Sequence, residues 1–304
     1  MPYTGECASI EKGVTALIPA AGLGTRMTPA TKEMPKEMLP VPARYSGRTI
    51  FKPFIQLIYE TIYKAGIRTF VFVVGRGKRI LQDHFLPDWG LYETLMEKGK
   101  TLEAESLKEL YLMLEDSNII WVDQPSPKGL GDAVLRGLKA VNTEYVLIHL
   151  GDILLKQNNN DNIIEDMLRA FNNLGDKCRS LIHSMTVSDP QNYGVIVPGT
   201  RLMDGIGRIE EIFAVRDLVE KPRDPPSNYA ITGIYLLPSR ELLSSLENTP
   251  RNPNTGELEL TDGLRLLLSR GHRMCTALSS SVSYLDIGRP DRYLETFISL
   301  SKLS

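Results

Sequence analysis

Residues 18–41, IPAAGLGTRMTPATKEMPKEMLPV, combine small residues, bare backbone and fixed positive charge in a way that could bind phosphates. Gly22 and Gly24 follow an apolar run and allow a ligand to approach the backbone. Arg26 lies in this loop and Lys36 follows ten positions later, among prolines. Because proline restricts φ and removes backbone donors, we expect a stiff, extended segment rather than a helix. Fixed cations beside free N–H groups suit a polyphosphate.

Three interpretations of the glycines compete, and we reject the second of them, the Walker loop. A dinucleotide-binding loop needs G-x-G-x-x-G, and Met27 occupies the third glycine. A Walker loop needs G-x-x-x-x-G-K-[ST]; residues 99–101 supply its end, but Thr94 stands where the first glycine should be, within an acidic, helix-like stretch. A tight turn without a ligand is the third interpretation, and the glycines by themselves favour it. The cations and prolines shift the balance towards a phosphate loop.

The elements that must position this loop alternate between strand and helix. Apolar, β-branched runs predict strands, and apolar residues at helical spacing predict helices. The predicted order is strand 14–20, helix 51–67 ending at Gly66, strand 68–75, a loop entering a helix over 129–141, and a buried strand over 144–155 broken at Gly151-Asp152. This order is typical of an α/β fold with a mainly parallel, Rossmann-like central sheet flanked by helices, and continuous apolar runs indicate strands covered on both faces.

Two regions depart from that alternation. Residues 87–118 are acidic and leucine-rich, which predicts one or two inserted amphipathic helices. After residue 178, short β segments separated by Pro, Gly and Asp predict a β-rich lobe with hairpin-like returns. Within it, residues 261–271 predict a helix with Thr261 as N-cap and Gly271 at its end. We expect one domain over 1–304, with halves 14–156 and 178–290 and a C-terminal helix over 291–304.

Composition excludes several classes of protein. The chain has 304 residues and a formal net charge of −2, so no global basic field attracts nucleic acid or an anionic membrane. No run of about 18 apolar residues could span a bilayer. The N-terminus lacks the pattern of a signal peptide, and three scattered cysteines show no metal-ligand spacing; both favour a cytoplasmic protein. The four histidines show no paired spacing, so we assign them no catalytic role.

The loop motif is long enough to be specific. The segment AAGLGTRMTPATKEMPKEMLPV resembles the signature of sugar-1-phosphate nucleotidyltransferases, and its form is most similar to that of the bacterial-type UTP–glucose-1-phosphate uridylyltransferases. Later segments agree with the same family in order, so that the resemblance runs from about residue 14 to 296. They are QPSPKGLGDAVLRG (124–137), HLGDILL, YGVIV, VEKP, ITGIY and YLDIGRPDRYLET.

The resemblance implies a role for each matching residue. Ala20, Ala21 and Gly22 would lie against the base, Gly24, Thr25 and Arg26 around the phosphates, and Lys36 at the bond that breaks. Gln124, whose amide carries both a donor and an acceptor, and Gly129 would read the nucleobase. Gly194, Glu220, Lys221, Thr232 and Gly233 would bind the sugar phosphate, making the β-rich lobe sugar-binding, and Asp152 and Asp286 would hold Mg²⁺. Arg289 stands where the family more commonly has threonine, and nothing in the pattern distinguishes Lys32 from a solvated lysine.

The implied reaction is UTP + α-D-glucose 1-phosphate → UDP-glucose + pyrophosphate, with Arg26, Lys36 and Lys221 as the catalytic cations. The insertion at 87–118 favours uridylyl over thymidylyl transfer, because the related thymidylyltransferases are more compact there. Thymidylyl transfer, or uridylyl transfer to another sugar 1-phosphate, stays an alternative within the enzyme class. A nucleotide-sugar-binding regulatory paralogue is the alternative outside it. The family commonly forms dimers or tetramers, so we expect a homo-oligomer.

Overall fold

The computed structural model describes residues 13–156, 161–280 and 282–302. The strands in these ranges are β1 Val14–Ala20, β2 Pro40–Tyr45, β3 Arg48–Pro53, β4 Thr69–Gly75, β5 Asn118–Gln124, β6 Tyr145–His149, β7 Ile153–Lys156, β8 Ser180–Thr186, β9 Gly194–Asp204, β10 Glu211–Glu220, β11 Tyr229–Pro238, β12 Met274–Leu278 and β13 Ser283–Asp286. The α-helices are α1 Phe54–Lys64, α2 Arg79–His84, α3 Trp89–Glu97, α4 Thr101–Glu115, α5 Leu130–Leu138, α6 Ile163–Leu174, α7 Ser239–Glu247, α8 Leu260–Ser269 and α9 Pro290–Ser301.

The central sheet contains nine of the described strands in the order β5-β4-β1-β6-β11-β8-β12-β10-β9. Strands β5, β4, β1 and β6 are mutually parallel, and β8 pairs in parallel with β12. Only β11 and β10 run against the other strands of this sheet. The predicted mainly parallel, Rossmann-like α/β sheet is therefore confirmed, and the β-rich second half extends the same sheet.

Both faces of the sheet are covered, as the continuous apolar runs predict. In β4, Phe70 and Phe72 belong to the core on one face, whereas Val71 and Val73 belong to the core on the other. All four side chains are fully buried. A strand with two covered faces has no solvent side for polar residues, which is why β4 shows no alternation of apolar and polar residues.

The segment predicted as one buried strand broken at Gly151-Asp152 is two strands in two different sheets. Strand β6 stays in the central sheet, but β7 leaves it and pairs antiparallel with β13, with Asp286 opposite Ile153. The backbone N–H of Ile287 also donates to the carbonyl of Asp152 at 3.1 Å. This small sheet joins residues 127 to 133 positions apart and brings Asp152 close to Asp286.

The insertion predicted at 87–118 is helical, as expected. Helices α3 and α4 pack on each other, with the rings of Trp89 and Tyr111 5.3 Å apart. Leu91, Met96 and Leu112 remain exposed on this pair of helices. The insertion therefore flanks the sheet next to β5.

Three smaller predictions have different outcomes. The N-cap of α8 is Glu259 rather than Thr261, because the Thr261 hydroxyl donates to Glu220 instead of capping the helix. Gly271 lies just beyond the helix with φ +83°, as predicted for its end. Among the described residues, no helix is both long and apolar enough to cross a membrane. Residues 1–12, which include Cys7 and on which the prediction about a signal peptide rests, lie outside the described residues.

Candidate active site

The phosphate loop begins where β1 ends and lines a cavity of about 470 Å³. Gly22, Gly24, Thr25 and Arg26 all contribute to its wall. Gly24 adopts φ +63°, a left-handed conformation that glycine reaches without strain. The loop has no α-helix, as expected, but it is not extended throughout: short 3₁₀ turns at Thr25–Met27 and Lys36–Met38 fold it back on itself. These turns bring the two predicted cations to one cavity.

Lys36 lies against the acid at the end of the neighbouring strand. Its Nζ is 2.5 Å from Oδ2 of Asp152, and both side chains are largely buried. Burial opposes a charge on Lys36, but the carboxylates of Asp152, Glu37 and Asp286 outweigh it and raise the pKa of Lys36 above its ordinary value. Lys36 is therefore a fixed cation in the wall of this cavity.

Asp152 and Asp286 converge on the same cavity. A Cβ built on Gly288 would lie 3.0 Å from Oδ1 of Asp286 and 3.7 Å from Oδ2 of Asp152, so both carboxylates lie close to this glycine. Burial raises the pKa of Asp286, and the nearby Asp152 acts in the same direction. Two crowded carboxylates need positive charge, and a pair of acids open to a phosphate-sized cavity is a donor set that suits Mg²⁺. Within the described residues, no group of three or more potential ligands offers an alternative metal site.

A second cavity, of about 390 Å³, adjoins the first and has the lining expected for a base. Ala21, Gly22, Gln124 and Gly129 line it, and it shares Lys36 and Asp152, among others, with the phosphate cavity. Ala20 does not line either cavity; it is buried, and its carbonyl accepts a hydrogen bond from Lys78. The base and phosphate residues predicted from the loop and from 124–137 therefore meet at the carboxyl ends of β1, β5 and β6, where ligands of such sheets bind.

The sequence suggested that Gln124 offers the base both a donor and an acceptor. In the structure its amide nitrogen is bonded to the protein instead. Its Nε2 is 3.0 Å from Oδ2 of Asp132 and 3.3 Å from the carbonyl oxygen of Gly129. Both amide hydrogens are directed to the protein, which leaves Oε1 as the group for a ligand.

The predicted sugar-side residues Gly194, Glu220 and Lys221 lie together at the β9–β10 pairing. Gly194 is directly opposite Glu220, and its Cβ would lie only 3.1 Å from Oε2 of that side chain. Oε1 of Glu220 is 2.9 Å from Lys221 Nζ, and Oε2 accepts a hydrogen bond from Thr261 at 2.7 Å. The backbone N–H of Lys221 donates to the carbonyl of Tyr193, which lines the phosphate cavity. The sugar side thus borders the phosphate cavity through Tyr193.

The other two predicted sugar-side residues, Thr232 and Gly233, lie in β11. The Thr232 side chain is fully buried, and its hydroxyl contacts the His183 ring at 3.0 Å and the His183 carbonyl at 3.2 Å. In this structure the Thr232 side chain is thus directed to His183 in the core. Gly233, with φ +95°, leaves room for Leu150, whose side chain lines both cavities. Burial lowers the pKa of His183 to about 3, so this ring is neutral and structural.

Several residues of the site could not be assigned from their sequence context. Arg289 and Arg292, at the start of α9, add positive charge to the phosphate cavity, and Tyr284 adds an aromatic wall. Arg289, noted only as a departure from the family pattern, thus faces the cavity. Lys32 lines neither cavity: it is exposed, and its ammonium lies 3.4 Å from the carboxylate of the neighbouring Glu33.

A buried ion pair supports the loop from beneath. Lys78 Nζ lies 3.0 Å from Oε2 of Glu37 and 2.5 Å from the carbonyl oxygen of Ala20. Glu37 directly follows Lys36 in the chain, and its stem packs near Gly151, where a Cβ would be 3.5 Å from Glu37 Cγ. Lys78 therefore ties the Lys36 turn to the end of β1. Its position on the loop after β4, 41 residues from Glu37, gives no local signal of this role.

The doubly wound sheet, the base-sized cavity and the cations beside paired carboxylates define a nucleotide-binding α/β protein. The chain belongs to the nucleotidyl transferase family, whose model matches residues 15–302. The family resemblance inferred from the loop motif is thereby confirmed.

Individual relatives and solved structures indicate which members of this family the chain is similar to. UTP–glucose-1-phosphate uridylyltransferase 2 of Streptococcus pyogenes is 36% identical over 260 residues, covering 83% of this chain and 79% of that protein. The UTP–glucose-1-phosphate uridylyltransferase of Staphylococcus epidermidis is 34% identical over 285 residues, covering 93% and 90% respectively. A structure of UDP-glucose pyrophosphorylase complexed with UDP-glucose matches with a TM-score of 0.79 at 29% identity, covering 95% of this chain and 99% of that one.

Proposed function

We propose that this chain transfers the uridylyl group of UTP to α-D-glucose 1-phosphate, giving UDP-glucose and pyrophosphate. The observation that carries the proposal is the shared wall of the two cavities: Lys36 and Asp152 border the base cavity and the phosphate cavity at once. A nucleotide with its base near Gln124 would therefore have its α-phosphate beside both groups. The names of the relatives and of the structural match support uridylyl transfer to glucose 1-phosphate.

Binding and positioning account for most of the chemistry. Gln124 and Gly129 would hold the base, and the loop from Gly22 to Arg26 would hold the phosphates. A phosphate oxygen of the sugar attacks the α-phosphorus of UTP; the new P–O bond forms as the bond to the β-phosphate oxygen breaks, and pyrophosphate takes that electron pair. No covalent enzyme intermediate and no proton transfer are required. Two anions must meet, so fixed cations contribute most to the rate.

Lys36 is the cation best placed to act on the reacting phosphate. It already pairs with Asp152 at 2.5 Å, and its raised pKa keeps it charged at neutral pH. A phosphate entering between the cavities would compete with Asp152 for this ammonium. Arg26 would hold the outgoing pyrophosphate together with Arg289, since both face the same cavity.

The sugar phosphate would approach from the β9–β10 side. The Glu220 carboxylate can accept hydrogen bonds from sugar hydroxyls, and its Oε2 is held by Thr261. Lys221 is more than half exposed and pairs only with Glu220 among the described ion pairs, so it can turn to the attacking phosphate. Backbone at Gly194 and Gly233 would complete this side.

Asp152 and Asp286 would hold a Mg²⁺ ion, which when bound supplies charge neutralisation to the phosphates. The carboxylate pair and the high pKa of Asp286 favour a cation here. We further propose a cytoplasmic homo-oligomer, a dimer or tetramer. Its support is an exposed apolar face on β3 and α9, where Phe51 stacks on Phe297 at 5.9 Å and Leu294 and Ile298 are exposed.

The test is pyrophosphate release by the purified protein across UTP, dTTP and several sugar 1-phosphates, with and without EDTA. We expect the highest kcat/KM for UTP with glucose 1-phosphate and loss of turnover with EDTA. A preference for dTTP, or for N-acetylglucosamine 1-phosphate, would replace the proposed substrates. Nucleotide-sugar binding without turnover would identify a regulatory protein instead.

A further inference from the structure

Gln124 is held in one orientation at the base cavity. It is 5% exposed, and its Nε2 donates to Oδ2 of Asp132 and to the carbonyl oxygen of Gly129. Among the described residues, none donates a hydrogen bond to Oε1, and Gln124 lines the cavity. Turning the amide over would place Oε1 against a carboxylate and a carbonyl, two acceptors with nothing to donate.

Asp132 can hold this orientation because it stays ionised. Burial acts to raise the pKa of this carboxyl, but hydrogen bonds from Gln124, Arg251 and Arg136 outweigh it and lower the pKa to about 2. Asp132 therefore carries no proton at neutral pH and can only accept. Only 5% of its side chain is exposed.

Two arginines fix Asp132 in turn. Arg251 donates to Oδ1 at 2.9 Å, and Arg136 donates to Oδ2 at 2.9 Å. Arg251 comes from a segment 119 residues further along the chain, and this segment is itself tied to the base loop. The Leu258 N–H donates to the Lys128 carbonyl, and the Leu258 carbonyl accepts from Gly131. A Cβ at Gly129 would lie 2.5 Å from that Leu258 carbonyl, so only glycine allows this approach.

We propose that Asp132, braced by Arg251 and Arg136, is a positioning residue for nucleobase selection: it forces Gln124 to present only an acceptor to the base. The inference rests on the proposed nucleotidyl transfer and refines its substrate class. Uracil and thymine carry an N–H donor at N3 that Oε1 accepts. Cytosine carries an acceptor at N3, so two acceptors, N3 and Oε1, would face each other with no hydrogen to share. The arrangement therefore admits uridine and thymidine triphosphates and rejects cytidine triphosphate.

The test is the ratio of kcat/KM for UTP to that for CTP, measured with glucose 1-phosphate in wild type and in Asp132→Asn. Asparagine keeps the shape but can donate or accept, so the Gln124 amide is free to turn. We expect the UTP/CTP ratio to fall by about 10- to 100-fold, since an unmatched buried polar contact has that order of effect. A purely structural role would lower kcat/KM for both nucleotides together and leave the ratio unchanged, and that result would overturn the proposal.

Three further measurements distinguish a failure of this inference from a failure of the proposed function. Asp217→Asn removes another arginine-paired carboxylate, which is bonded to Arg265 away from both cavities, and should leave the ratio as in wild type. Arg251→Gln, a second variant should Asp132→Asn fail to fold, should lower the ratio to a smaller extent. If wild type shows no turnover with any nucleotide, the proposed reaction fails. The ratio of the Kd values for UTP and CTP, measured by calorimetry in wild type and in Asp132→Asn, then tests the selectivity.

Discussion

Replacing Lys78 with methionine should destabilise the protein and slow its reaction. Lys78 is the partner of the Glu37 carboxylate, at 3.0 Å, and the donor to the Ala20 carbonyl, at 2.5 Å. Lys78 is 9% exposed and Glu37 1%. Methionine has a similar length and no charge, so the substitution removes the ion pair with little change in shape.

The expected loss follows from leaving a carboxylate buried without its cation. Removing one partner of a buried ion pair typically costs about 3–5 kcal/mol of unfolding free energy. Because Glu37 follows Lys36 directly and its stem packs near Gly151, the disturbance reaches the turn that presents Lys36. Turnover should therefore fall as well.

The loss should grow with pH. Burial raises the pKa of Glu37 above its usual 4.5, against the opposing charges of Lys78 and Lys36, and removing Lys78 raises it further. A carboxyl whose folded-state pKa exceeds its unfolded value gives stability that is present below the unfolded pKa and is lost as pH rises through the folded pKa. The Lys78→Met protein should therefore be nearer to wild type at pH 5 than at pH 8.

Urea denaturation at pH 5 and pH 8, with steady-state turnover, measures these effects. The double variant Lys78→Met/Glu37→Gln should recover part of the stability, because it removes the unpaired charge. Lys32→Met is the matched control: its exposed pair with Glu33 should contribute under about 1 kcal/mol. A loss below 1 kcal/mol at pH 8, or one that neither pH nor Glu37→Gln changes, would refute the reasoning.

Four other perturbations test the site. Asp152→Ala and Lys221→Ala should each lower kcat by about 10²–10³ in a protein that stays folded; near-normal turnover in either would show that the assignment of that residue is wrong. Thr261→Val removes the hydroxyl that holds Glu220, at 2.7 Å, and should raise KM for glucose 1-phosphate about fivefold with KM for UTP unchanged; an equal rise in both KM values would contradict a sugar-side role. Titrating Mg²⁺ into EDTA-treated protein should restore turnover in wild type, and turnover that is independent of the metal would exclude the proposed Mg²⁺ site.

Local pattern predicted much of the fold and the phosphate loop. Strand β1 has the predicted bounds, and α1 ends just before Gly66 as expected. Residues in the 18–41 segment are close together in sequence, so a long motif could identify Gly22, Arg26 and Lys36 as one unit. Local sequence pattern best predicts the conformation of contiguous residues.

The contacts that define the rest of the site join distant segments. Asp132 meets Arg251 across 119 positions, and Lys78 meets Glu37 across 41. No helical or strand period connects such pairs, and each member alone resembles a solvated charge. Strand β7 leaves the central sheet for β13, although its apolar sequence would fit a central strand equally well. Local pattern predicts Thr261 as an N-cap because its true partner, Glu220, lies 41 positions earlier and leaves no local signal.

The central claim is that this chain joins UTP and glucose 1-phosphate at the cavity where Lys36 and Asp152 meet. The most direct measurement is ³¹P NMR of the purified protein incubated with UTP, glucose 1-phosphate and Mg²⁺. We expect UDP-glucose and pyrophosphate to appear in equal amounts, and to form about 10²–10³ times more slowly with Asp152→Ala. Consumption of UTP without UDP-glucose, or no consumption by folded wild-type protein, would contradict it.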